Sequence, residues 1–258
     1  MNHRLISFAS TIALAMTCCG TARAGATLTE KVVDKNTGQS TTVTMYVDGN
    51  RLAYGTGRGG MIFDGDKQTS WTYDLKRKMY MELTASHAQA LKKRAKAARA
   101  KTREMLHDRL KHLPKSQRKR MEQEWERQLN KRPHFKRLGG SKKVGKWRCA
   151  PVVKVDADGN AIEHMCIATF KALGIDGRDQ KALESIKRFN ASMSSGSDGR
   201  DTGFGLQAEK EVGLTGIPVS DDDAASTSTL LSVHHGAVPE KVFRLPKGMK
   251  KMSLPMMP

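Results

Sequence analysis

The sequence predicts an α+β fold: an antiparallel sheet that carries a long basic helical hairpin as an insertion, together with one further helix. Short runs of β-branched and aromatic residues, separated by tight turns at spacings of about 8 to 12 residues, indicate the antiparallel strands. The segment 84–138 has the periodicity and composition of helices instead. Two cysteines that flank a hairpin signal indicate a disulfide inside the sheet.

Residues 1–24 have the pattern of a cleaved export signal. A short basic start that contains Arg4 precedes an apolar run from Leu5 to Met16, and the small-residue site Ala22-Arg23-Ala24 follows. The apolar run is about 12 residues long, whereas a permanent membrane-spanning helix needs about 20. We therefore expect cleavage after Ala24 and a mature protein that works in the periplasm.

The four cysteines bear on both the export signal and the redox state. Cys18 and Cys19 allow the alternative of a lipoprotein signal, but the residues before each of them fit that signal poorly, which favours a non-lipidated product. Removal of the signal leaves only Cys149 and Cys166, and in an oxidising compartment this pair predicts a disulfide. No Cys-x-x-Cys motif is present, so a structural disulfide is favoured over a catalytic dithiol.

Residues 26–83 predict an antiparallel meander. The runs 43–47 and 51–54 flank Asp48-Gly49-Asn50 and therefore predict a hairpin. Further strand-like runs follow, and they span 59–66, 69–74 and 79–83.

The segment 84–138 is the basic element of the chain. It holds 18 Lys plus Arg against 5 Asp plus Glu, so it supplies +13 of the formal net charge of +19. Strong helix formers fill 85–110, a second helix can begin after Pro114, and Pro133 ends it. We expect a helical hairpin with narrow apolar stripes and wide basic faces. The candidate contacts for an anionic surface are Lys92, Lys93, Arg94, Lys96, Arg99, Lys101, Arg103, Arg118, Lys119 and Arg120.

The alternative for this hairpin is a purely structural role, in which it packs its apolar stripe on the sheet and exposes its charges to solvent. Nucleic acid is the least favoured partner, because an exported protein meets little of it.

The segment between the two remaining cysteines predicts a β-hairpin around Asp158-Gly159. Two registers stay open. If Val153 pairs with Ile162, then Cys149 lies directly opposite Cys166. If Asp158-Gly159 is the centre of a two-residue turn, the cysteines lie diagonal to each other, and a bulge or a longer loop is needed to reconcile the two.

The C-terminal third predicts a mixture of elements. A helix is expected at 176–193, a Gly/Ser/Asp loop at 194–205, and strands at 206–219 and 227–233. A Met-rich tail closes the chain.

Three blocks of the sequence resemble an exported bacterial family, domain of unknown function 4412. The matching motifs are Gly60–Gly65, Trp71–Asp74 and Met79–Glu82 in the first block, Gly145–Cys149 with Cys166–Ala168 in the second, and Val238-Pro239 with Phe243–Gly248 in the third. That family is similar in fold to periplasmic lipoprotein carriers, in which helices cross the open face of a curved antiparallel half-barrel. The resemblance implies a half-barrel that binds an apolar ligand in its concavity without catalysis. It supplies no catalytic residues, and the basic insertion departs from the family pattern.

The sequence contains no motif that indicates catalysis. Asp221-Asp222-Asp223 lacks the spacing of a calcium loop and predicts a solvated turn. The glycine-rich run 55–60 lies between strands rather than before a helix, so it predicts a turn and not a phosphate site. The histidines lack partners at ligand spacing, and the methionines of the tail, although potential Cu(I) ligands, are better explained by packing or disorder. We expect no enzyme activity, no cofactor and no metal.

The sequence therefore predicts a signal peptide, 1–24, and a single domain, 25–258, with a helical insertion at 84–138. The leading functional hypothesis is a non-catalytic periplasmic carrier for an apolar or lipidic ligand. The alternative is an envelope-interaction protein whose basic hairpin docks on anionic lipid, lipopolysaccharide, an envelope polymer or an acidic partner.

Overall fold

The structure, a computed structural model, describes residues 25–130, 133–194 and 206–252. The predicted export signal, residues 195–205 of the predicted loop and the end of the Met-rich tail lie outside these ranges. The strands are β1 (Gly25–Asp34), β2 (Ser40–Asp48), β3 (Arg51–Thr56), β4 (Gly59–Asp64), β5 (Thr69–Asp74), β6 (Met79–Thr84), β7 (His134–Arg137), β8 (Lys142–Val144), β9 (Trp147–Val155), β10 (Ala161–Thr169), β11 (Gly216–Asp223), β12 (Ser226–Gly236) and β13 (Lys250–Lys251). The helices are α1 (Ala85–Leu110), α2 (Lys115–Asn130), α3 (Phe170–Leu173), α4 (Gly177–Ser194), α5 (Leu206–Val212) and a 3-10 turn (Glu240–Phe243).

The strands form one large, curved sheet that does not close on itself. Its order is β13-β6-β5-β4-β3-β2-β1-β12-β11-β10-β9-β7, and β8 pairs with β9 beside this path. Neighbours run antiparallel except β13, which lies parallel to β6. The first six strands are neighbours in chain order, which confirms the predicted meander and the mixed α and β composition with an antiparallel sheet.

Two predicted elements differ from the structure. The segment 206–212 is the helix α5, although we expected a strand over 206–219; only the later part of that range, from Gly216, is extended. Its helix-forming residues outweigh the two-residue alternation, and Gly213, with a φ of 67°, ends the helix while its N–H donates to the carbonyl oxygen of Glu209. The segment 134–137, which we expected at the end of the helical insertion, is strand β7 at one edge of the sheet.

The main core lies between the inner face of the sheet and α4. Alternate residues of the strands point to this face, as the two-residue period of a strand requires. Phe189 of α4 lies against Phe63 of β4, with ring centroids 5.4 Å apart. The predicted helix at 176–193 is therefore confirmed, and it covers the sheet with its apolar side. The large buried side chains of this contact are Val47, Leu52, Phe63, Leu183, Ile186 and Phe189.

The start of α4 is tied to a turn of the sheet. Gly49, with a φ of 63°, lies in the two-residue turn between β2 and β3, and its N–H donates to Asp179 Oδ1 at 3.1 Å. Asp179 is 3% exposed, and burial raises the pKa of its carboxyl above the ordinary value.

The predicted disulfide between Cys149 and Cys166 is confirmed, and it links β9 to β10. In the register of these strands Cys166 lies opposite Pro151, so the two cysteines are diagonal rather than directly opposed. The irregularity between Ala161 and Glu163 is a bulge next to a five-residue loop, 156–160, which resolves the two registers that the sequence left open.

A smaller apolar cluster lies on the opposite face of β9 and β10. Met165 and Ile167 belong to it, whereas Cys166 and Ala168 belong to the main core, so successive residues of β10 serve two cores. Ala208 of α5 packs against this second cluster and is fully buried.

The C-terminal segment crosses the sheet and returns to its edge. The guanidinium of Arg51 lies 4.3 Å from the ring centroid of Phe243 and donates to both carboxylate oxygens of Glu240. At the edge, Lys251 of β13 donates to Glu82, whose other oxygen accepts from the indole N–H of Trp71. These contacts explain several residues of the first and last sequence blocks as structural.

Candidate anionic-surface interface

The helix α1 begins directly at the end of β6, where a capping box fixes its direction. Thr84 Oγ1 accepts from the backbone N–H of His87 at 3.3 Å, and His87 Nδ1 accepts from the backbone N–H of Thr84 at 3.2 Å. Ala88, 2% exposed, anchors the first turn, and the helix contacts β6 and α4. The sheet therefore positions the start of the helix that carries the charge.

Seven cations and no carboxylate lie between Ala85 and Arg103. The side chains of Lys92, Lys93, Arg94, Lys96 and Lys101 are exposed, and no carboxylate of the described residues forms an ion pair with them. Arg103 is exposed as well and has an interaction partner. The backbone of Arg99 lies in α1, but its side chain is outside what the structure describes.

The predicted cations of α2 divide into two kinds. Lys119 and Arg120 are exposed. Arg118 is half-buried and donates to the carbonyl oxygens of Lys111 at 2.9 Å and Leu113 at 3.4 Å. It thus stabilises the carboxyl end of α1 and the connection to α2. We predicted Arg118 as a contact for an anionic surface, and in the structure its guanidinium is engaged by these two carbonyl oxygens.

The two helices meet near their connection. His107 Nδ1 lies 3.3 Å from Glu122 Oε1, and Leu110 is 3% exposed. Between the helices lies a groove of about 400 Å³, and the half-buried Trp125 contributes to its lining. The residues that line this groove are Arg103, Leu106, His107, Lys119, Glu122, Gln123 and Trp125.

Large apolar side chains are exposed among these cations. Met105 of α1 and Met121 of α2 are each 49% exposed. A helix that combines lysine and arginine with exposed apolar side chains is typical of elements that lie in the headgroup region of a membrane. We call the exposed cations of α1 and α2, together with Met105 and Met121, the basic helical surface.

Sequence reasoning missed a second basic surface on the sheet. The run from 127 to 155 contains no Asp or Glu, and this absence of acidic residues could have indicated the second basic surface. The hairpin of β8 and β9 displays four of its cations around a groove of about 340 Å³. The residues that line it are Ser141, Lys142, Lys143, Lys146 and Arg148.

The inner face of the sheet was the expected position of an apolar ligand. Over β2, β3 and β4 that face is occupied by α4, whose Leu183, Ile186 and Phe189 belong to the main core. An apolar ligand on this part of the sheet would have to displace α4.

Buried charges elsewhere in the described residues are mostly paired. Lys187, 3% exposed, lies 3.1 Å from Glu209, and Lys154 lies 3.0 Å from Glu163. Asp221 is the exception: its Oδ1 is buried without a hydrogen-bond partner, and burial, with the nearby Glu163 as a second cause, raises the pKa of its carboxyl to about 7.

The other predicted motifs have structural explanations. Asp221–Asp223 lies in β11, not in the solvated turn that we expected, and Lys35 pairs with Asp222. The glycine-rich run 55–60 forms the turn between β3 and β4 as expected. Within the described residues no group of three or more His, Cys, Asp or Glu side chains is arranged to hold a metal ion. None of the helices in the described ranges combines the length and the apolar character that crossing a membrane requires.

The comparisons with known proteins assign no family. No protein-family model and no curated protein matches the chain. Among solved structures, PNGF-II in space group C2 shares 7% identity at a TM-score of 0.38 over 88% of this chain and 30% of that one, and PNGF-II in space group P21 shares 7% at 0.39 over 90% and 32%. The chain thus spans about a third of the length of these structures, and a likeness this distant carries no argument about fold or activity.

Proposed function

We propose that this protein is a non-catalytic component of the bacterial envelope that docks on an anionic lipid surface through the basic helical surface. The observation that carries the proposal is the set of exposed cations on α1 and α2 that lack carboxylate partners among the described residues. Charges left without partners on a helix whose start is fixed by the sheet suit an external anion rather than the fold itself.

The size of the expected attraction follows from the number of cations. A lysine or arginine close to an anionic membrane contributes about 1 kcal/mol. Seven of the cations that the sequence predicted as contacts are exposed and have no partner among the described residues: Lys92, Lys93, Arg94, Lys96, Lys101, Lys119 and Arg120. If about six of them reach the surface together, the attraction corresponds to a dissociation constant between millimolar and micromolar. Such binding is reversible and strongly dependent on salt.

The exposed methionines favour lipid over an acidic protein as the partner. Met105 and Met121, each 49% exposed, lie among the cations of the two helices. Apolar side chains of this kind gain free energy when they enter the boundary between headgroups and acyl chains, in addition to the electrostatic attraction. The export signal predicted at 1–24 and the disulfide between Cys149 and Cys166 support a location outside the cytoplasm, where such a surface is available.

The carrier hypothesis remains a prediction. It requires an apolar concavity on the inner face of the sheet, and α4 occupies that face over β2 to β4. The half-barrel resemblance is compatible with both functions, since docking on a membrane and carrying a lipid are not exclusive. The basic helical surface is the better supported of the two because its cations are exposed in the structure as it stands.

Vesicle binding of charge variants tests the proposal. We expect the protein to co-sediment with vesicles of phosphatidylglycerol and phosphatidylcholine, and not with phosphatidylcholine alone. Substitution of Lys92, Lys93, Lys96 and Lys101 by Gln removes four charges and conserves helix propensity. We expect this variant to bind at least about 30-fold more weakly, which is about half of the free energy that four lysines contribute at full strength, because salt screens the rest.

The chain offers a matched control. Lys31, Lys76, Lys181 and Lys241 are exposed lysines outside the basic helical surface, and their replacement by Gln changes the net charge by the same amount. The control variant should bind vesicles within about threefold of the wild type. Equal losses in both variants would mean that overall charge, not this surface, drives the binding, and would refute the proposal.

A further inference from the structure

The hairpin of β8 and β9 is a second basic site, separate from α1 and α2. Gly145, with a φ of 56°, and Lys146 form the two-residue turn between Val144 and Trp147. Four cations and one hydroxyl surround the groove of about 340 Å³ at this turn. A volume of this size matches the smaller pockets that hold low-molecular-weight ligands.

This hairpin is anchored by the main core and by the disulfide. Trp147, 5% exposed, and Cys149, 3% exposed, both belong to the main core, and the disulfide attaches Cys149 to β10. Lys146 Nζ lies 5.2 Å from the ring centroid of Trp147, which restrains the direction of its ammonium group. The cations are thus presented by a firmly anchored element, so a ligand would lose little free energy in ordering them.

Two of the cations oppose each other across the strands. Lys143 of β8 is the direct register partner of Arg148 of β9. Like charges placed directly opposite on one face of a sheet destabilise the pair. No carboxylate of the described residues pairs with either side chain, and the run 127–155 holds no acidic residue to supply one. The repulsion is therefore left for an external anion to relieve.

We propose that this groove binds a diphosphate group. Lys142, Lys143, Lys146 and Arg148 carry four positive charges, which suffice to neutralise a diphosphate group, a multiply charged anion near neutral pH. The planar guanidinium of Arg148 can donate two parallel hydrogen bonds to one phosphate, while the lysines act as point charges toward the other. The hydroxyl of Ser141 adds a neutral donor at the rim. The site lies on the sheet and uses none of the residues of the basic helical surface, so it does not rest on the proposed function.

Titration calorimetry with pyrophosphate tests the site in the full mature chain. We expect measurable binding of pyrophosphate and weaker binding of orthophosphate, because one phosphate engages fewer cations. The variant Lys143→Gln, Arg148→Gln should bind pyrophosphate at least about tenfold more weakly, since each charged hydrogen bond contributes more than the free energy of a tenfold change. Arg148→Lys keeps the charge but removes the planar donor pair, so its affinity for pyrophosphate should lie between those of the wild type and the double variant. The double variant should also melt no lower than the wild type, because it removes a like-charge pair.

Matched controls separate this site from the basic helical surface. Lys92→Gln, Lys93→Gln removes two exposed cations of α1 and should leave pyrophosphate affinity within about twofold. The hairpin double variant should in turn retain binding to phosphatidylglycerol vesicles. Absence of pyrophosphate binding by the wild type at millimolar concentration, or an equal loss in both double variants, would overturn the proposal.

A second experiment distinguishes a lipid headgroup from a soluble diphosphate as the ligand. Vesicles of phosphatidylcholine that contain a lipid with a diphosphate headgroup are compared with free pyrophosphate, both against the Lys143→Gln, Arg148→Gln variant. Hairpin-dependent binding to these vesicles that exceeds the affinity for free pyrophosphate identifies a lipid headgroup as the ligand. Hairpin-dependent binding of free pyrophosphate alone identifies a soluble diphosphate, and both results support the site.

Discussion

The contact between α4 and the inner face of the sheet determines whether this face can hold a ligand, and Phe189→Ala tests it. Phe189 is 3% exposed, and its ring lies 5.4 Å from that of Phe63, which is fully buried. Truncation of a buried phenylalanine to alanine costs about 3 to 5 kcal/mol, through lost burial and the cavity left behind. We expect the free energy of unfolding to fall by about 4 kcal/mol, a value that includes the loss of the aromatic contact with Phe63.

Urea denaturation of the oxidised protein, followed by far-UV circular dichroism, measures this loss. The midpoint should fall while the slope with urea concentration stays unchanged, because the same surface is exposed on unfolding. Lys181→Ala, at an exposed position of the same helix, is the control and should change stability by less than about 0.5 kcal/mol. A loss below about 1 kcal/mol for Phe189→Ala would show that α4 does not fill this face, and would restore the open concavity that a carrier needs.

Two further predictions concern the disulfide and the buried carboxyl of β11. Replacing Cys149 and Cys166 by Ser should lower the free energy of unfolding by about 3 kcal/mol, because the bond closes a loop with a sequence separation of 17; an unchanged urea midpoint would contradict this. The folded-state pKa of Asp221, about 7, lies above its unfolded value of 3.8, so its carboxyl binds the proton more tightly in the folded protein, and its contribution to stability falls as pH rises from about 4 to 7. The free energy of unfolding of Asp221→Asn, measured relative to that of the wild type, should therefore rise by about 2 kcal/mol from pH 4 to pH 8. This value is smaller than the full pKa shift implies, because the carboxyl is partly exposed. A difference in stability that does not vary with pH would refute the prediction.

Much of the sheet followed from local patterns. The hairpin of β2 and β3 is set by a turn residue with positive φ at Gly49, and the meander joins neighbours in sequence, so local signals suffice. The positions of the C-terminal strands in the sheet could not be predicted from local sequence patterns. Nothing local to β12 indicates that it pairs with β1, because that pairing is a long-range contact.

The misassigned elements have physical explanations. In α5 the short run from Leu206 to Val212 is too brief for helical periodicity to show clearly, and its apolar ends resemble a strand. Strand β7 was hidden at the end of a strongly helical segment, where its pairing with β9 decides its conformation.

The candidate interface was predicted in part. The excess of charge identified α1 and α2, because charge is a property of composition. Composition could not show that Arg118 is engaged by backbone carbonyl groups of the helix connection, which depends on its position in the fold. It also obscured the hairpin of β8 and β9, since averaging over the remainder of the chain hid a run of cations without acids.

Hydrogen exchange with and without anionic vesicles tests whether α1 and α2 are the elements that dock on an anionic lipid surface. The helices α1 and α2 should exchange quickly in the free protein, because Ala88 and Leu110 are the only buried residues among their described side chains. We expect phosphatidylglycerol vesicles to slow exchange in peptides from 85–130 and phosphatidylcholine vesicles to leave it unchanged. In both cases β1 to β5 should exchange as in the free protein. Binding to anionic vesicles with no added protection in 85–130, or with protection confined to the sheet, would contradict this role of α1 and α2.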